Sequence, residues 1–252
     1  MRLSFLGTGA AGGVPLYGCD CPACRRAASS VPHQRQPCSA LIEADGTRIL
    51  IDAGLCDLHQ RFPPGTLDAI VLTHYHPDHV QGLFHLRWGK GEVLPVYGPP
   101  DSQGCADLFK HPGVLAFHAQ RKFVPFRIGT LRLTPLPLQH SKVTFGYAIE
   151  SAGATRLAYL TDTLGLPPKT GAFLRQWGRF AMAIDCTHPP RQAPSNHNDW
   201  HAALACIERS GAQRAWLTHI GHELDSWLLA QQPGLPEGVC VASDGDCHEL
   251  DV

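Results

Sequence analysis

An α/β fold of two packed mixed sheets flanked by helices, in a single domain over residues 1–252, is what this sequence predicts. Three observations lead there. Short apolar runs separated by turn clusters recur along the whole chain, the signature of many strands. The 21 prolines and 25 glycines are spread evenly, with no linker, repeat or low-complexity tract to divide the chain. At 252 residues and 44% hydrophobic, the chain can bury a large core.

Taken in order, strands are expected at 3–6, 40–44, 48–51, 69–72, 123–126, 131–135, 145–150, 156–160, 182–185, 215–217 and 239–242. Helices are expected at 80–88 and 170–177. The clearest one spans 199–210, where Asp199 can cap the start and Gly211 can stop the end. The segment Gly7-Thr8-Gly9-Ala10-Ala11-Gly12 follows a strand and spells a dinucleotide-type glycine motif. Pro15, Gly18 and a cysteine cluster interrupt the helix that such a motif needs, so it reads as a tight loop under the functional site.

Function concentrates in Thr73-His74-Tyr75-His76-Pro77-Asp78-His79, which packs three imidazoles and a carboxylate into six positions. Such donors hold divalent metal. Pro77 and the crowding of polar groups predict a loop. It follows the buried run at 69–72, and α/β proteins place their chemistry on loops at strand C-termini. The same ending recurs in Ala158-Tyr159-Leu160-Thr161-Asp162 and in Trp216-Leu217-Thr218-His219, and Leu136-Pro137-Leu138-Gln139-His140 also ends in His. Each of His140, Asp162 and His219 alone is an ordinary loop residue. Four strands that each run into a ligand can meet at one point of a sheet edge. Asp52, in Leu50-Ile51-Asp52-Ala53-Gly54, reads by itself as a turn residue before Gly54.

Ten cysteines in a long chain with no signal-like start are expected to be reduced thiols of a cytoplasmic protein. Cys56, Cys105, Cys186, Cys206 and Cys240 are scattered. Cys19-Asp20-Cys21-Pro22-Ala23-Cys24 is not. Three thiolates and one imidazole suit a closed structural Zn²⁺ site. The rival is a redox pair at Cys21 and Cys24, but such a pair opens a helix, and Pro22 beside glycines does not read that way. The fourth ligand stays open among His222, His33, Cys247 and His248.

A formal net charge of −1 argues against gripping a long polyphosphate chain by charge alone, so no nucleic-acid partner is expected. No stretch approaches the ~20 apolar residues of a membrane span, so no membrane partner is expected either.

The pattern His74-x-His76-x-Asp78-His79, followed by His140, Asp162 and His219, resembles the metallo-β-lactamase superfamily of dinuclear metallohydrolases. That resemblance implies a four-layer αβ/βα sandwich. It implies one ion on His74, His76 and His140, a second on Asp78, His79 and His219, and Asp162 bridging them, with Asp52 supporting a ligand. Two divalent ions, Mn²⁺ or Zn²⁺, would ionise a shared water and clamp phosphoryl oxygens. Longer segments, among them Val80-Gln81-Gly82-Leu83-Phe84, Val96-Tyr97-Gly98-Pro99-Pro100 and His188-Pro189-Pro190-Arg191, resemble the PhnP family of phosphoribosyl cyclic phosphodiesterases of the carbon–phosphorus lyase pathway. This second resemblance implies hydrolysis of 5-phosphoribosyl 1,2-cyclic phosphate to ribose 1,5-bisphosphate in phosphonate catabolism. It implies a structural zinc on Cys19, Cys21, Cys24 and His222, catalytic residues His197 and Asp78, and a homodimer.

His197 has a rationale of its own, since a departing alkoxide needs a proton and imidazole delivers one near neutrality. Lys142 and Arg191, and more weakly Arg35, are candidates for holding the substrate's 5-phosphate. Two other readings share the fold: a tRNA 3′-processing endonuclease, which should carry a long basic arm that this chain does not show, and a pyrroloquinoline-quinone biosynthesis protein, which shares the N-terminal cysteine cluster. A non-enzymatic metal-binding module is the third.

Overall fold

Alternation along the strands sets the architecture in the computed structural model, which describes residues 1–191 and 193–251. One sheet has the order β14 (Cys247–Glu249), β1 (Arg2–Gly7), β2 (Ser39–Ala44), β3 (Thr47–Ile51), β4 (Ala69–Val71), β5 (Leu94–Gly98) and β6 (Leu115–Ala119). The other runs β13 (Val239–Val241), β12 (Arg214–Thr218), β11 (Ala181–Asp185), β10 (Arg156–Leu160), β9 (Phe145–Glu150), β8 (Leu131–Pro137) and β7 (Phe126–Ile128). Each sheet is antiparallel on one side and parallel on the other: β3 to β6 run parallel, as do β10 to β13.

Period-two alternation sends Ile49, Ile51, Leu157, Tyr159 and Trp216 into the core between the sheets. The intervening residues are buried too. Leu50 faces a second cluster on the outer side of the first sheet, with Leu58 of α2 (Leu58–Arg61) and Val80 of α3 (Pro77–Val80). On that side α4 (Leu83–Leu86) and α5 (Ala106–Lys110) add Leu83 and Leu108. Ala158, Met182 and Leu217 face a third cluster, under α6 (Pro168–Gln176) and α7 (Trp200–Ser210). Strands buried on both faces are what helix-covered parallel strands require. The result is helix, sheet, sheet, helix, with α1 (Pro22–Ser29) packed on α8 (His222–Gln231) at one end. No helix among the described residues is long and apolar enough to cross a membrane.

The fully buried Trp216 touches Phe5 and His248 across this core. Trp216→Ala is therefore expected to cost about 3–5 kcal/mol, read as a lower urea midpoint at unchanged slope.

The architecture agrees with the sequence reading, and several elements correct it. Residues 73–79 are not all loop: Pro77 opens α3, which carries Asp78 and His79. Proline lacks only an N–H that the first helical turn leaves unpaired anyway. The expected helix at 80–88 is broken, because the chain turns so that the Gly82 N–H reaches the Ala53 carbonyl at 2.8 Å. The strand expected at 123–126 begins only at Phe126, since Phe123 takes φ +61°. Strands β5, β6 and β14 and helices α1, α2, α5 and α8 were not foreseen. Helix α7 follows its caps: Asp199 accepts from the Ala202 N–H at 2.8 Å, and Gly211 turns left-handed at φ +79°.

Candidate metal centre and its neighbours

The C-terminal ends of β3, β4, β10, β11 and β12 share one edge and deliver Asp52, His74, Asp162, Asp185 and His219 to it. Asp52, Asp162 and His219 each sit in the left-handed region, at φ +60°, +62° and +60°. That conformation costs a side-chain-bearing residue of order 1–3 kcal/mol and persists where the surroundings fix it, commonly at functional sites. Here it accompanies the turn of each chain off its strand, which brings Asp162 and His219 face to face and sets Asp52 behind His79. Gly54 is needed for a different reason. A Cβ there would collide with the Asp78 carbonyl, so this glycine lets the β3 turn and α3 close on each other.

Five imidazoles converge, and each has its outer nitrogen held by oxygen. His79 Nδ1 donates to Asp52 Oδ2 at 2.7 Å. Thr73 Oγ1 donates to Asp52 at 2.8 Å and so accepts from His74 Nδ1 at 3.0 Å. Thr187 Oγ1 donates to Asp185 at 2.7 Å and accepts from His219 Nδ1 at 2.8 Å. His140 Nδ1 donates to the Asn196 carbonyl at 3.0 Å, and His76 Nε2 lies 3.4 Å from Ser141 Oγ. For His74, His79, His140 and His219 these bonds fix the tautomer, leaving bare lone pairs pointing inward.

The inward atoms fall into two groups. His76 Nδ1 lies 2.8 Å from His74 Nε2 and 3.0 Å from His140 Nε2, with Asp162 Oδ2 3.5 Å from both of the latter. On the other side Asp162 Oδ1 is 3.5 Å from His79 Nε2 and 3.4 Å from His219 Nε2. Asp78 Oδ2 completes that group, 3.2 Å and 3.7 Å from the same two nitrogens. One carboxylate therefore faces both groups.

These residues suit divalent ions. His79 Nε2, His219 Nε2 and Asp162 Oδ1 are buried with no hydrogen-bond partner, and facing lone pairs repel unless a cation lies among them. The electrostatics agree. Burial works against charge on His219, yet Asp162 and Asp78 outweigh it and raise the ring to about 9. Burial likewise opposes charge on His79, where Asp162 and Asp52 prevail and raise it well above its ordinary value. This half of the cage demands positive charge. In the other half, burial and the neighbouring His79 hold His74 well below its usual value, as a neutral ligand.

His197 stands at the mouth. Its ring stacks on His219 with centroids 4.8 Å apart and meets the His140 ring edge-on, also at 4.8 Å. Its Nδ1 donates to the buried Asp185 Oδ2 at 2.8 Å, which also accepts from the Thr163 N–H at 2.8 Å. Asp185, Asp162, His197 and His219 lie close enough to form another candidate ion group. Asp185 is already engaged by His197, Thr163 and Thr187, so the group is better read as an oriented histidine. The sequence reading missed Asp185 and Thr187. Their signal was present, because Asp185 ends a buried strand as Asp52 does.

Elsewhere the cysteine cluster assembles as follows. Cys19, Cys21, Cys24 and His222 bring their ligand atoms within 4.8 Å of one another, with His222 Nδ1 3.4 Å from Cys19 Sγ and 3.6 Å from Cys21 Sγ. The rivals for the fourth position lie elsewhere: Cys247 contacts Arg2, and His248 lies on Trp216. The sequence argument against a helix here is corrected, since Cys21 caps α1 with Pro22 at its first position. Burial disfavours the Cys21 thiolate, but hydrogen bonds from Ser226 Oγ and the Cys24 N–H, with His222 alongside, lower it to about 6; burial pushes Cys24 up to about 12. A thiolate, an imidazole and two further thiols between two helix N-termini fit zinc. Cys24→Ser is expected to weaken zinc retention here by more than the ~10–100-fold that a lost supporting contact costs, followed by a colorimetric zinc-release assay.

The phosphate candidates fare differently. Arg35 is corrected to a structural role: it is buried, bonded to Asp225, Thr8 and the Ala242 carbonyl. Lys142 lies 3.9 Å from Asp101, and Arg191 pairs with Glu223 at 3.0 Å. The glycine-rich loop does pass beside the site, with Thr8 and Ala10 hydrogen-bonded to Ile220.

Two seven-stranded sheets in a four-layer sandwich carry, at their strand ends, a histidine and aspartate cage suited to divalent metal. Residues 47–220 match the family model of the β-lactamase superfamily domain, and the chain belongs to the metallo-β-lactamase superfamily. A solved PhnP-family diphosphatase is 28% identical, with a TM-score of 0.79 over 98% of this chain and 97% of that one. An octanoyltransferase from Porphyromonas gingivalis is 31% identical over 88% of this chain, but only 46% of its own length is covered. Coenzyme PQQ synthesis protein B from Methylobacterium radiotolerans is 31% identical over 64% of each chain. The chain thus spans less than two thirds of either curated relative.

Proposed function

We propose that this protein is a phosphodiesterase that opens 5-phosphoribosyl 1,2-cyclic phosphate to ribose 1,5-bisphosphate. In this reading His74, His76 and His140 hold one divalent ion, Asp78, His79 and His219 a second, and Asp162 serves both; Mn²⁺ or Zn²⁺ suits them. Bound there, the pair supplies a nucleophile at neutral pH and neutralises charge on the phosphoryl group. The protein's own part is protonation. Water adds to phosphorus, the bond from phosphorus to the 2-oxygen breaks, and that oxygen must gain a proton. With Nδ1 committed to Asp185, Nε2 of His197 is the atom that gives it.

The observation that carries the reading is the His197 ring, fixed by Asp185 and stacked on the cage at its mouth. Full-length likeness to a PhnP-family diphosphatase supports the phosphorus ester over a lactam or thioester. The proposed partners are this small cyclic phosphate and a second copy of the chain, without nucleic acid or membrane, in the cytoplasm. Lys142 or Arg191 would take the 5-phosphate. The test compares hydrolysis of the cyclic ribosyl phosphate, a linear aryl diester, nitrocefin and precursor tRNA by metal-loaded protein. Preference for nitrocefin or tRNA would sink the proposal.

A second reading comes from the same neighbour, named a diphosphatase. A diphosphate linkage releases phosphate, a far better leaving group than an alkoxide, and needs His197 much less. Retained diphosphate cleavage in His197→Ala would favour it.

A further inference from the structure

The loop that carries His197 is fastened on both sides, and the two fastenings differ. On one flank Asn198 ties it to its own sheet: Oδ1 accepts from the Gly165 N–H at 2.7 Å, and Nδ2 donates to the Asp185 carbonyl at 3.1 Å. On the other flank Asn196 crosses to the turn that bears a cage histidine. Its carbonyl accepts from His140 Nδ1 at 3.0 Å, and its side-chain Oδ1 accepts from the Ser141 N–H at 2.9 Å. Ser141 in turn reaches His76 Nε2 with its hydroxyl, at 3.4 Å.

Asn196 adopts φ +66°, a left-handed conformation that asparagine tolerates better than most residues. Asn196, the neighbour of His197 in sequence, thus bonds His140 directly and reaches His76 through Ser141, and these bonds leave the inward-facing ligand atoms untouched.

We infer that Asn196 is a positioning residue that sets His197 in register with the cage through its side-chain bond to Ser141. The inference rests on the proposed acid role of His197 and goes further, assigning a residue which that role does not require. Its backbone carbonyl supports His140 whatever the side chain is. The side chain adds a second tie between the two loops, through the Ser141 N–H, so its removal should cost proton delivery while the carbonyl still holds His140 and the cage keeps its ions.

Leaving-group dependence separates the two effects. An alkoxide departing from the cyclic ribosyl phosphate needs the His197 proton, whereas 4-nitrophenolate leaving bis(4-nitrophenyl) phosphate does not. The readout is the ratio of kcat/KM for the first substrate to that for the second, in Asn196→Gly and His197→Ala, with ion content measured on both. Glycine keeps the left-handed backbone and the carbonyl. Asn196→Gly should lower the ratio by about tenfold, a fraction of the full general-acid effect, with two cage ions retained. Asn196→Asp, which keeps the acceptor, should restore most of it.

Equal loss on both substrates, or an unchanged ratio in Asn196→Gly while His197→Ala lowers it, would overturn the inference alone. An unchanged ratio in His197→Ala would overturn the acid role and the inference with it. If the glycine variant does not fold, Asn196→Ala removes the same acceptor, and because its left-handed backbone is strained, two retained cage ions are required before its ratio is read.

Discussion

Asp162→Ala is expected to empty the cage of the two ions proposed for it and to lower turnover by at least about 10³-fold, beyond the loss from a single electrostatic contact at an active site. The reason is its position. Its two oxygens face different groups, Oδ2 toward His74 and His140 and Oδ1 toward His79 and His219, and the residue is only 2% exposed. Burial opposes its ionisation, but the imidazoles of His219, His79 and His74 hold its carboxyl well below the usual range. Without it, five inward lone pairs and Asp78 remain, and neither group keeps its shared anion. Elemental analysis beside steady-state kinetics checks this. A variant that still holds two ions in the cage would show that Asp162 is not the bridge.

His197→Ala is expected to act by a different route. Ion content should stay at the wild-type level, because the outer nitrogens of the cage are held by Asp52, Thr73, Thr187, Asn196 and Ser141 and not by His197. Turnover of a substrate with an alkoxide leaving group should fall by about 10²–10⁴-fold, the range of a positioned general acid. Loss of metal together with activity would make His197 a ligand instead, through the group it forms with Asp162, Asp185 and His219.

How much of this was legible in the sequence follows from where the information sits. His74, Asp162 and His219 could be read because each terminates a short, continuous apolar run, whereas Asp52 followed from the family resemblance. Strands buried on both faces must read that way, so their ends are sharply marked. Asp185 carried the same mark and was read only as the end of a strand. The Asn196 and Ser141 bond joins residues 55 apart and leaves no local trace. Proline misled in both directions. Pro22 and Pro77 were read as helix breakers but stand at first helical positions, where they start helices. Strand β5 contains Pro95, and β14 has only three residues, exposed at a sheet edge.

The central claim is that histidine and aspartate side chains at the strand ends hold a pair of divalent ions that the hydrolysis requires. Elemental analysis of the purified protein, before and after chelation and metal return, tests it most directly when paired with cyclic-phosphate hydrolysis on the same samples. The account expects three ions per chain, one of them zinc resisting chelation at the cysteine cluster, with activity vanishing and returning in step with the other two. Fewer than two exchangeable ions in active protein, or hydrolysis that survives their removal, would contradict it.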